Sequence, residues 1–152
     1  MRWWVAAMLL LVAAPVSAQE DLRIIRDRLY VSDASACEAL ADKGVDAWMD
    51  VDFLSLSFVD GIQSMEFQCR FFEVKEREGS THLFIDAVCE VPGEVYPDIL
   101  AVTPYTETQI QVVSGYDAAM AASGQFETGS EVATPGATLY TRCDNLSEIP
   151  VD

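Results

Sequence analysis

The sequence predicts a mainly β domain: a small antiparallel β-barrel or strongly curved sheet carrying one or two short helices and two disulfides. Three observations lead there. Short runs alternating apolar and polar residues recur along the chain, divided by Gly, Pro, Asp and Ser turns. Four cysteines, Cys37, Cys69, Cys89 and Cys143, all follow a leader-like start. A Leu-Tyr run lies near each end, at Leu29-Tyr30 and Leu139-Tyr140, and each is followed by a cysteine.

Arg2, then an apolar run from Trp3 to Ala14, then Pro15 and the small residues Val16, Ser17 and Ala18 make the three parts of a secretory signal peptide. Cleavage is expected between Ala18 and Gln19, so 1–18 reads as leader and 19–152 as one β-rich domain. The run is too short to span a bilayer comfortably, and no later stretch approaches the ~18 apolar residues of a spanning helix. Gln19 stands where a lipoprotein would carry cysteine. The expected product is a soluble monomer of the periplasm or the secreted space, without a membrane anchor.

Along the mature chain, Arg28–Ser32 reads as the first strand. A short helix over "ASACEALADKG" follows, with Ser35 as N-cap, Glu38 completing a capping box and Gly44 as stop. "AWMDVDFLSLSFV" (47–59) reads as a strand whose apolar face switches from Met49, Val51 and Phe53 to Leu54, Leu56 and Phe58. Such a phase change predicts a bulge or bend. Asp60-Gly61 marks a hairpin turn. "IQSMEFQCRFFEVKER" (62–77) reads as one strand, with Met65, Phe67, Cys69 and Phe71 inward. After a polar turn over 76–80, "THLFIDAVCEV" turns Leu83, Ile85, Ala87 and Cys89 inward. "VPGEVYPD" reads as a loop around Pro92-Gly93 and Pro97. "ILAVTPYTE" and "TQIQVVSG" are two further strands, with Pro104 at a strand end or edge. "YDAAMAASGQ" is a helix with Asp117 as cap and Gly124 as stop. "FETGSEVATPGA" is an exposed connection, and "TLYTRC" the last strand. Setting the first strand beside the last closes or nearly closes the sheet.

An even number of cysteines in an oxidising compartment reads as disulfides. No two have the close spacing of zinc ligands, His82 is the only histidine, and Cys-x-x-Cys is absent. With the turn centred near Glu78, Cys69 falls opposite about Ala87 and Cys89 is the next inward residue. Cys69–Cys89 is therefore the first expected bridge and Cys37–Cys143 the second. The pairing Cys37–Cys69 with Cys89–Cys143 stays open, since spacing does not fix connectivity.

The full chain has 9 basic and 25 acidic residues, a net −16; removing the leader with Arg2 leaves 8 and 25, a net −17. That charge argues against nucleic acid and anionic membrane surfaces as partners and permits a cationic protein or peptide. The acids are scattered, which also serves solubility. The exception is a basic start at Arg23, Arg26 and Arg28, which either pairs with acids elsewhere or is a solvated tail. There is no Gly-x-Ser-x-Gly. His82 points outward in its strand, and Asp50 with Asp52 is one of many carboxylate pairs a chain this acidic contains by chance. Asp50-Val-Asp52 lacks the glycine and closing glutamate of an EF-hand loop. Asn145-Leu-Ser147 matches the glycosylation acceptor pattern, a short match common by chance. Trp48, Phe53, Phe58, Phe67, Phe71, Phe72, Phe84 and Tyr105 either line a ligand cavity or pack as core. Phe72 and Phe84 fall on the face away from the cysteines, under the second helix or in a contact patch.

The early "LYV…C", the central "C…hairpin…C" and the terminal "LY-x-RC" together resemble small periplasmic four-cysteine β proteins of alphaproteobacteria whose function is uncharacterised. The resemblance implies a small β domain and a periplasmic address, and it carries no catalytic residue to transfer. The expectation is a non-enzymatic binding or inhibitor module with an acidic surface, without cofactor or metal. The alternative is a lipocalin-like carrier of a small apolar ligand, which requires a sizeable internal cavity.

Overall fold

A computed structural model describes residues 22–124 and 136–150. The expected leader (1–18) and most of the polar connection, 126–135, lie outside the described residues. The strands are β1 (Leu29–Val31), β2 (Ser55–Ser57), β3 (Gly61–Gln63), β4 (Gln68–Glu76), β5 (Leu83–Val91), β6 (Glu94–Pro104), β7 (Gln109–Ser114) and β8 (Ala137–Cys143). They form a closed antiparallel barrel in sequence order, and β8 pairs back onto β1 through Leu29 opposite Cys143 and Val31 opposite Thr141. Helix α1 (Ala36–Lys43) and a 3-10 helix (Gly44–Met49) lie between β1 and β2, and α2 (Gly115–Ala122) follows β7 directly.

The alternation of the strands fills the barrel. Tyr30, Leu56, Ile62, Cys69, Ile85, Cys89, Leu100, Val102, Ile110, Val112 and Tyr140 are buried inside it. A second core lies outside the wall. Leu29, Val31 and Cys143 face outward from β1 and β8 and are covered by Ala36, Leu40, Ala47 and Phe53. Strand β1 is therefore buried on both faces, which is why a run as short as "LYV" holds its place. The bridges divide between these cores: Cys69–Cys89 lies inside the barrel, and Cys37–Cys143 ties α1 to β8 across 106 residues.

Several expected boundaries move, each for a physical reason. The 47–59 strand shrinks to β2, because Gly44–Met49 winds into the 3-10 helix that roofs the outer core; Met49 is left exposed. The long 62–77 strand is two strands, β3 and β4, separated by a loop at 64–67 that exposes Met65. Cys69 pairs with Cys89 itself, and Phe71 with Ala87. The register then shifts between Phe71 and Glu73, a bulge that turns Phe72 outward. Only Pro92-Gly93 of "VPGEVYPD" is loop, since β6 already begins at Glu94 and runs through Pro97. Proline is tolerated there because Pro97 pairs only with Val88 of β5, while β7 joins β6 from Leu100 onward. The cap of α2 is Ser114, whose hydroxyl accepts from the Asp117 N–H at 3.0 Å, so Asp117 sits inside the first turn. The α1 capping box does not form: Asp33 accepts from the Ser35 N–H and hydroxyl instead, at 2.9 and 2.8 Å. No helix among the described residues is long and apolar enough to cross a membrane.

Candidate binding groove

Antiparallel order puts the β3–β4 loop, the β5–β6 turn and the start of α2 at one end of the barrel. A groove of about 610 Å³ runs across that end, between Trp48, the 63–68 segment, Arg70 and the Glu90–Gly93 turn. It adjoins a depression of about 340 Å³ that shares Trp48, Ser64, Met65 and Glu66 and adds Val51, Asp52 and Phe53. Its apolar contacts are Met65, which is 59% exposed, and the half-buried Trp48, which packs on Phe53 with ring centroids 6.0 Å apart; polar side chains make up most of the rest of the lining. The Trp48 indole N–H is buried with no hydrogen-bond partner among the described residues. Asp52, Glu66 and Glu90 against Arg70 give the lining three negative charges and one positive. Beside it, the segment joining β1 to β2 exposes Asp33, Glu38, Asp42, Asp46, Asp50 and Asp52, with Lys43 its one basic residue.

The opposite end carries the basic start. Arg26 pairs with Glu76 and lies 5.8 Å over the Phe58 ring, and Arg23 and Arg26 line a hollow of about 460 Å³ beside the β4–β5 hairpin. This is docked chain, not a solvated tail.

The aromatics do not converge on one cavity. Phe58, Phe67 and Phe71 pack against the inner core, Trp48 and Phe53 belong to the outer one, and Phe72, Phe84 and Tyr105 are exposed. Helix α2 packs on β6 and β7 and leaves Phe72 and Phe84 uncovered. His82 is an exposed residue hydrogen-bonded to Thr103 at 3.0 Å, and Asp50 pairs with Lys43 while Asp52 lies in the depression. Asn145 and Ser147 are both exposed.

Inside the barrel a cavity of about 50 Å³ remains, lined among others by Phe67, Cys69, Cys89, Tyr96, Asp98, Ser114, Asp117, Thr138 and Tyr140. The sequence carries no local signal for this polar cluster, because Asp98 lies in a segment that reads as loop and Asp117 reads as a helix cap. Asp98 is buried and accepts from the Ile99 N–H (2.7 Å), the Ser114 hydroxyl (2.6 Å) and the Tyr116 N–H (2.9 Å). Burial pushes the Asp117 carboxyl above its ordinary range; the Asp98 charge adds to this and the Ser114 hydroxyl partly offsets it. Burial, with Asp117 and Asp98 behind it, pushes the Tyr96 phenol up to about 12. Tyr96 stacks on Tyr116, centroids 3.9 Å apart, and Tyr116 donates to Glu94 at 2.8 Å.

Comparison of the chain with protein-family models, with curated proteins and with solved structures finds no match in any of the three.

Proposed function

We propose that this protein is an exported, non-enzymatic binding module that engages a cationic protein or peptide in the groove over Trp48 and Met65. The observation that carries this reading is the exposed Met65 and half-buried Trp48 set among the carboxylates Asp52, Glu66 and Glu90. Apolar side chains of a partner bury on Met65 and Trp48, while Lys or Arg meets Glu66, Glu90 and Asp52. Two disulfides fit an oxidising compartment, and with the leader-like sequence they support a periplasmic or secreted site of action. The alternative, a carrier of a small apolar ligand, has less support. Small-molecule pockets usually offer ~300–1,000 Å³, and the space inside this barrel is about 50 Å³ and partly polar.

The test is titration of the protein with a peptide alternating Lys and Leu, read by calorimetry at low and high salt. Binding is expected to weaken as salt rises, to fall at least about tenfold in Glu66→Lys/Glu90→Lys, and to survive Glu38→Lys/Asp42→Lys outside the groove. Equal losses in the two double variants would reduce the interaction to bulk charge and reject the groove.

A further inference from the structure

We propose that the open edge of β4 is a self-association site, where a second copy of this chain adds its own β4 as an antiparallel strand across a two-fold axis. Two observations carry this. The first is a notch in the barrel wall. Strand β4 runs from Gln68 to Glu76 along β5, but β3 meets it only at Gln68 and Cys69. Strand β3 starts at Gly61, straight after the hairpin turn from β2, and so covers no more of it. Among the described residues no strand but β5 pairs with Phe71–Glu76, and no turn or loop bond caps their other edge. Backbone groups with no strand opposite are a template for a further strand. Phe58 packs on Phe71 at one end of the notch, and Arg26 pairs with Glu76 at the other. Both contacts use side chains, so the backbone of Phe72–Glu76 is left to a partner. Phe72, the extra residue of the bulge, is 72% exposed, and Val59 at the hairpin tip is 89% exposed. Apolar surface flanking an open edge is what a partner strand buries.

The second is charge. In a chain of net −16, β4 carries Arg70 and Lys75 against Glu73 and Glu76, a net of zero. Past the bulge the strand regains its period of two. Val74 lies opposite the buried Ile85, and Glu73 and Lys75 turn outward opposite Asp86 and Phe84. Within one chain Lys75 already holds Glu73 at 3.2 Å and Asp86 at 2.5 Å, which fixes its ammonium over this surface. With Val74 on the two-fold axis, Phe72–Glu76 of the two copies pair, and Glu73 of each faces Lys75 of the other on the outer side. The edge is thus complementary to itself, whereas a cationic peptide meets no net charge on it. Repulsion between two acidic copies keeps the association weak and dependent on concentration. The pairing stretch shares no residue with the groove over Trp48 and Met65, so this inference and the groove stand or fall separately.

Sedimentation velocity of the oxidised protein over a series of rising concentrations tests the site. The weight-average mass is expected to climb from that of the monomer towards twice that value. Glu73→Lys and Lys75→Glu each set like charges against one another twice across the axis, and each should weaken association about tenfold. An equimolar mixture of the two variants restores opposite charges at both contacts and should recover association to near the parent level. Mixing cannot rescue a folding defect, so recovery reads the pairing itself. Monomer mass at every concentration, association unchanged in either variant, or no recovery in the mixture would each overturn the proposal.

Discussion

At the scale of single residues, one glycine fixes a strand crossing. Gly61 has φ +93°, and a Cβ there would lie 1.9 Å from the Cys69 carbonyl oxygen. Gly61→Ala combines a left-handed backbone cost of ~1–2 kcal/mol with a clash against main chain that cannot swing away. We expect it to lower unfolding free energy by more than about 2 kcal/mol in urea titrations; a loss below about 1 kcal/mol would show that β3 and β4 part easily. Asp117 makes a prediction of opposite character. A carboxyl whose folded pKa is raised costs stability once it ionises, and that cost disappears as pH falls through the raised value. Asp117→Asn cannot ionise, so its Tm relative to the parent should rise as pH goes from about 3 to 7, which scanning calorimetry at several pH values would measure. A difference flat with pH would mean that Asp117 titrates as an exposed acid. The sequence marked Asp60-Gly61 as a turn because that signal is local. It misassigned the α2 cap because Ser114 and Asp117 are both good cap residues, and only the end of β7 at Ser114 decides between them.

At the scale of elements, α1 owes its place to the barrel. It covers Leu29, Val31 and Cys143 with Ala36 and Leu40, and Leu40 is fully buried. Leu40→Ala should cost about 2–4 kcal/mol, the range for a cavity-forming change in a core. Hydrogen exchange should report the loss first in α1 and the 3-10 helix, while β4–β6 stay protected. Uniform loss of protection would show the two cores to be one cooperative unit. Strands with clean alternation, β5 and β7, were legible; their period of two reflects a wall with one buried face. The 47–59 stretch was not. Its aromatic and branched residues suit a strand by propensity, and the outer core overrides that preference by needing a compact roof over β1. Pro97 misled for a related reason: whether a strand edge lacks a partner depends on the register of β6 against β7, which no local window contains.

At the scale of the whole molecule, the pairing of β1 with β8 was readable from the matching Leu-Tyr runs and from cysteines that had to find partners. What was not readable is that Asp52, Glu66 and Glu90, distant in sequence, line one groove, since that depends on how the β1–β2 segment wraps the wall. The Cys37–Cys143 bridge spans 106 residues next to the seam. The loop-entropy relation gives such a bridge ~4–5 kcal/mol before strain. Cys37→Ala/Cys143→Ala should lower Tm far more than any surface substitution, measured by calorimetry of both oxidised proteins. A drop of less than about 5 °C would mean that the barrel closes well without its fastening. Around the rest of the wall every strand bonds to its neighbour in sequence, so those contacts can form in steps as the chain collapses. The β1–β8 seam alone joins segments more than a hundred residues apart. Closure is therefore the slow kinetic event for a reduced chain, and one that emerges already oxidised between Cys37 and Cys143 starts its race with the two distant ends tethered.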